Sequence, residues 1–161
     1  MDLGDLVRLL VGDRDASSAK LYGSEPPKLD TVWNAIRNKQ IANDKWIEVV
    51  TKHRNFRGKE KQVDAQLLVD ITFVASEQKD VDTFIIDSGD ADFMPFVSAA
   101  LERHFNVEIA SFSAALSNVE NKQNLKKYLS EGQLKVIKCE DIILICSFEV
   151  LEYKQRIPRE R

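Results

Sequence analysis

A short apolar run that breaks straight into carboxylates constrains this chain more than any other feature: Thr83-Phe84-Ile85-Ile86-Asp87-Ser88-Gly89-Asp90-Ala91-Asp92-Phe93-Met94-Pro95-Phe96. Phe84, Ile85 and Ile86 leave no polar face, the pattern of a strand covered on both sides, and Ser88-Gly89 ends it with turn chemistry. In open α/β sheets ligands bind where the loops leave the carboxyl ends of the strands, and Asp87, Asp90 and Asp92 fall there. Two readings of these acids stand side by side. In one, Ser88, Asp90 or Asp92 caps the helix that begins near Phe93, whose first turn favours negative charge. In the other, carboxylates at i and i+2 exceed what a cap needs, and a bound divalent cation relieves their repulsion most simply.

The flanking segments alternate between strand and helix. Leu3, Leu6, Val7 and Leu10 have the i, i+3, i+4, i+7 spacing of an amphipathic helix, ended by Gly12 and the polar run 13–18. Residues 19–22 form a short strand before Gly23-Ser24 and the Pro26-Pro27 break, and residues 29–39 read as a helix with Val32, Trp33 and Ile36 on one face and Asp30 as a cap. Residues 46–51 are rich in β-branched and aromatic side chains and read as a strand. Residues 63–74 form a helix, apolar at Val63, Leu67, Leu68, Ile71 and Val74, with Asp64 in its first turn. After the 83–86 strand, a helix over about 93–104 packs Phe93, Phe96, Val97, Ala100 and Leu101 on the sheet, and residues 107–112 form another strand. A last helix over 116–129 and a short strand over 134–137 follow. Strands alternating with helices of this length imply a parallel sheet with helices on both faces. Residues 142–151 are the most apolar run in the chain, and residues 154–161 form a basic tail.

Between the strand at 46–51 and the helix at 63–74 the character changes. Lys52, Arg54, Arg57, Lys59 and Lys61, with His53, stand against a single acid, Glu60. A charge run of this kind is a solvated face or a phosphate-binding loop, and Phe56 within it offers a ring on which a base can stack. The whole chain carries a net charge of -3, which argues against a protein that coats nucleic acid over a broad basic surface. A length of 161 residues suits one domain, placed at residues 1–153 with the tail at 154–161. The start, Met1-Asp2-Leu3-Gly4-Asp5, lacks the basic region and cleavage site of a signal peptide, and no apolar run approaches 18 residues. The expected location is therefore intracellular, cytoplasmic or nuclear, without a membrane partner. Cys139 and Cys146 match no zinc spacing, and both are read as structural thiols.

Two of these segments together resemble a known family. Lys61-Gln62-Val63-Asp64, followed by Asp70, is similar to the NYN-domain pattern of a lysine, then Val-Asp at a helix start, then a second aspartate. Ser88-Gly89-Asp90-Ala91-Asp92-Phe93-Met94-Pro95 is similar to that family's Ser-Gly-Asp-x-Asp-Phe-x-Pro, and Leu21-Tyr22-Gly23-Ser24 adds a weaker match. The resemblance runs over about residues 3–137. It implies a PIN-like α/β fold, three layers αβα around a mainly parallel central sheet. It also implies an endoribonuclease dependent on Mg²⁺ or Mn²⁺ that cuts single-stranded or looped RNA. By position, Asp64, Asp90 and Asp92 become the catalytic, metal-binding acids, with Asp70 a weaker metal ligand. Lys52, Arg54, Arg57, Lys59, Lys61 and Ser88 become the nucleic-acid contacts. Oxygen ligands suit such hard cations on physical grounds alone.

One departure from the family stands out. The family begins with a central strand that ends in an aspartate, and here Met1 falls at the helix after it, so that strand is missing or replaced. Its loss leaves two neighbours about 10 Å apart with unpaired backbone on both. The run at 142–151, apolar on both faces, is the spare strand that fills such a gap; inserted parallel, it brings Glu149 or Glu152 toward the other acids. A sheet edge beside residues 134–137, or completion of the sheet by another molecule, are the alternatives. The missing aspartate also leaves a rival function open: a degenerate domain that binds RNA or a protein partner, or pairs with a second copy, without cutting. A phosphotransfer or phosphatase site would explain the paired acids but not the basic loop.

Overall fold

The computed structural model describes residues 3–24, 31–42, 45–52, 62–120 and 123–142. Their elements follow the order α1 (Leu3–Val11), β1 (Ala19–Ser24), α2 (Thr31–Arg37), β2 (Gln40–Ala42), β3 (Lys45–Lys52), α3 (Val63–Glu77), β4 (Thr83–Asp87), α4 (Met94–Glu102), β5 (Asn106–Ser111), α5 (Ser113–Glu120), α6 (Lys126–Ser130) and β6 (Leu134–Lys138). The strands form two half-sheets. In the first, β1 lies parallel to β3 and the short β2 pairs antiparallel to the other edge of β3. In the second, β4, β5 and β6 are parallel and in that order. The alternating pattern thus produces the expected layered α/β architecture with mainly parallel pairing.

Helices cover the second half-sheet on both faces. Phe84, Ile86, Val107, Ile109 and Leu134 point to one side, where Phe96, Val97, Ala100 and Leu101 of α4 pack with Leu116 and Leu125. Phe84 sits edge-on to Phe96 and to Phe105, with centroids 5.3 and 5.2 Å away, an arrangement that aromatic pairs favour. Leu68, Ile71 and Val74 of α3 close this layer. On the opposite face, Ile85 and Ala110 meet Leu6 and Leu10 of α1, with Cys139 and Ile142. Glu108 also points to that face and is almost wholly buried. Arg14 holds it through two hydrogen bonds, of 2.9 and 2.8 Å, and Lys135 through one of 3.1 Å. Burial pushes the Glu108 carboxyl up, but these bonds and charges outweigh it and hold the group below its ordinary value.

The chain departs from the sequence expectations in three places. A strand, β2, occupies residues 40–42, where a three-residue element is too short to leave a periodic signal. The single helix expected over 116–129 is two, with a 3-10 turn Gln123–Leu125 before α6. Leu116 and Leu125 are 0% and 1% exposed in the same core. Their separation of about two and a half helical turns would set them on opposite sides of one continuous helix. Residues 139–142 are helical, so Ile142 is not the start of a strand; the rest of the 142–151 run, Asp30 and the tail lie outside the described residues.

Among the described residues, β1 pairs with β3 and β4 with β5, and the two half-sheets are not joined by a ladder. A groove of about 490 Å³ lies between them. Leu3, Leu6 and Leu10 of α1 line it, as do Leu67, Ile71 and Val74 of α3.

Candidate functional site

The turn after β4 is built to hold its acids still. Phe84 and Ile86 anchor the strand in the core and Asp87 emerges at its end. Ser88 then accepts a hydrogen bond from the Asp90 backbone N–H at 3.2 Å, and the Asp90 carboxylate accepts one from the Asp92 N–H at 3.0 Å. Asp90 therefore does cap, but it caps the 3-10 turn Ala91–Phe93 rather than the α-helix itself. Phe93 and Met94, 3% and 4% exposed, pin the far side of the turn, and Pro95 opens α4 where its missing N–H costs nothing. Gly89 is required by space. A Cβ there would lie 2.2 Å from the Ala115 Cβ and 2.9 Å from the Ser111 hydroxyl, so the turn rests directly on α5 and the end of β5.

Asp64 stands in the first turn of α3, exposed, just after Gln62, whose φ of 79° marks the sharp entry to the helix. With Asp87, Ser88 and Asp90 it lines the groove between the half-sheets. The fold therefore brings together at one groove acids from the two motifs that the sequence singles out. Asp92 is exposed on the 3-10 turn and does not line the groove. Asp70, lower on α3, is engaged by protein groups: Gln66 donates to it at 2.6 Å, the Tyr22 hydroxyl at 2.9 Å, and Lys20 approaches to 3.7 Å. Burial raises its carboxyl, yet the bonds from Gln66 and Tyr22 and the Lys20 charge hold it below its ordinary value. Burial, the bond to Asp70 and that carboxylate's charge push the Tyr22 hydroxyl up.

Lys52 is half-buried at the end of β3, opposite Ser24 in the register. Arg54, Arg57, Lys59 and Lys61 lie outside the described residues. Asp87 was placed at the strand end by the sequence but was not among the ligands implied by the resemblance, and Glu140 was not foreseen. Burial raises the carboxyl of Asp87, against a weak hydrogen bond from the Cys139 thiol at 3.9 Å. Glu140 accepts the Ser113 backbone N–H at 2.8 Å and so caps α5, which keeps its carboxyl low. The strand-end position of Asp87 was readable from sequence; the return of Cys139 and Glu140 to the same end was not. Among the described residues, no three Asp, Glu, His or Cys side chains converge as a ready metal cluster. No helix among them is long and apolar enough to cross a membrane.

The family model described as NYN domain matches residues 1–131. No curated protein and no solved structure matches the chain.

Proposed function

The chain belongs to the NYN domain family, a PIN-like nuclease family, and on that footing we propose that it is a metal-dependent endoribonuclease acting on single-stranded or looped RNA. One observation carries the reading: Asp64 from the start of α3, and Asp87 and Asp90 from the end of β4, line the same groove. Asp64 and Asp90, which line the groove, are the ligands in this reading, with Asp92 a further candidate on the exposed turn beside Asp90. Their donor set is oxygen only, which fits Mg²⁺ or Mn²⁺ better than a softer ion. Such a cation supplies a Lewis acid that offsets phosphate charge and lowers the pKa of water at that point. The chain's own part is to hold the acids in place. Asp90 fixes the Asp92 backbone, Ser88 fixes that of Asp90, and Gly89 lets the turn seat on α5. Asp70, with both oxygens engaged, braces α3 against β1 through Tyr22 and Lys20. Lys52 and the basic residues that follow it in sequence, Arg54, Arg57, Lys59 and Lys61, supply positive charge that attracts RNA phosphates.

A second reading, a domain that binds RNA or a protein partner without cutting, is favoured by the lack of a converged acid cluster among the described residues. Incubation of labelled single-stranded RNA with Mn²⁺ separates the two, with Asp90→Asn as control. Cleavage by the wild type alone supports the nuclease; retained binding with no cleavage above the control supports the second reading.

A further inference from the structure

The NYN match covers residues 1–131, and β6 with the helical residues 139–142 lies beyond it. β6 runs parallel to β5, and β5 to β4, so its carboxyl end opens on the same side of the half-sheet as the turn that carries Asp90. The two residues that leave this end both reach back to that turn or to its support. Cys139, 4% exposed, sets its thiol 3.9 Å from the Asp87 carboxylate, where β4 gives way to the turn. Glu140 accepts the Ser113 backbone N–H at 2.8 Å and so holds the first residue of α5. A helix leaves that N–H without an internal partner, and a carboxylate there satisfies it and suits the helix dipole.

α5 is in turn the surface on which the acid-bearing turn sits. A Cβ on Gly89 would lie 2.2 Å from the Ala115 Cβ and 3.3 Å from its Cα, so the Gly89 backbone rests on the first turn of α5, two residues from Ser113. The next residue is Asp90, whose N–H is held by Ser88 and whose carboxylate holds the Asp92 N–H. A displacement of α5 is therefore passed to the Asp90 carboxylate through a contact with no slack. We propose that Glu140 is a positioning residue of the nuclease site: it fixes the start of α5 and thereby, through Ala115 and Gly89, the place of Asp90. Its effect on cleavage rests on the nuclease reading; the mechanical link does not. Glu140 acts as a hydrogen-bond acceptor rather than as a charge. Its Oε1 receives the Ser113 N–H, and its Oε2 is buried with no hydrogen-bond partner among the described residues. A glutamine keeps the acceptor and sets a neutral group in place of the unpartnered oxygen, whereas an alanine leaves the helix N–H without its partner.

The full chain is compared as wild type, Glu140→Ala and Glu140→Gln. Amide exchange of Asp90 and Asp92, followed by NMR, reads the link without reference to activity: it should run about tenfold faster in Glu140→Ala and close to wild type in Glu140→Gln. Cleavage of labelled single-stranded RNA with Mn²⁺ reads the consequence. The kcat of Glu140→Ala should fall about tenfold or more, as a small misplacement of a reacting group produces, with KM little changed and with Glu140→Gln restoring the rate. Ser113→Pro removes the donor instead, at a helical position that accepts proline. It should reproduce the Glu140→Ala effect on exchange, and the two substitutions together should give no more than either alone. Unchanged exchange at Asp90 and Asp92 in Glu140→Ala overturns the link, and so do additive effects of Glu140→Ala and Ser113→Pro. A loss of cleavage in Glu140→Gln as large as in Glu140→Ala overturns positioning in favour of a direct role for the charge. A wild type that shows the exchange differences but cuts no RNA supports the link and contradicts the nuclease reading.

Discussion

At the scale of single residues, the turn after β4 has its polar groups engaged, and Asp87 and Asp90 of that segment still line the groove. Asp90→Asn keeps an acceptor for the Asp92 N–H and removes only charge, so it should abolish RNA cleavage while the melting temperature moves little. Circular dichroism beside a cleavage assay checks both. Gly89→Ala does the reverse. The new methyl group meets the Ala115 Cβ, and an overpacked contact of this kind costs about 1–3 kcal/mol, visible as a lowered denaturation midpoint. Glu108 gives a pH prediction. Its carboxyl is held low in the folded state by Arg14 and Lys135, so its contribution is complete above the unfolded value near pH 4 and is lost as pH falls through the folded value. Glu108→Gln should cost about 1–3 kcal/mol at neutral pH, discounted because Arg14 and Lys135 are 43% and 63% exposed. The gap to wild type should close on acidification below about pH 4, as urea unfolding at several pH values will show. The acids of the groove were legible because turn chemistry and strand ends are local in sequence. The bonds from Tyr22 to Asp70 and from Arg14 to Glu108 span 48 and 94 residues, and no local pattern announces them.

At the scale of elements, periodicity located the long helices and the buried strands because their apolar faces repeat over several turns or residues. It failed where an element was short, as in β2, or where two helices with different buried faces adjoin, as in α5 and α6. The boundary of α3 shows the same limit: its apolar residues reach round the helix, with Val69 and Phe73 exposed at 62% and 59%, so the pattern does not mark where the helix ends. That the described strands fall into two half-sheets, with α1 and α3 lining the groove between them, became visible only in three dimensions. The basic segment that begins at Lys52 makes its own prediction. Replacing Lys52, Arg54, Arg57 and Lys59 by Ala should weaken RNA binding equally across sequences and flatten its salt dependence, by at most about one unit of slope per lost contact. Filter binding over a salt series measures this, and an unchanged slope would return the segment to a solvated face.

At the scale of the whole molecule, the proposed metal site would couple the acids to the stability of the fold. A cation bound by Asp64, Asp90 and Asp92 stabilises the folded chain by mass action, about 2.7 kcal/mol at a hundred times its dissociation constant. For a domain of this size that is about 5–10 °C in melting temperature. The double variant Asp90→Asn, Asp92→Asn should melt at the same temperature with and without Mn²⁺, and an equal response in both proteins would place the ion elsewhere. The most direct measurement of the central claim is cleavage itself: purified wild type and Asp90→Asn, each with labelled single-stranded RNA, with Mn²⁺ or with a chelator. The account predicts discrete RNA products from wild type with Mn²⁺ and intact RNA in the other three reactions. Intact RNA in all four, or equal cleavage by the two proteins, would contradict it.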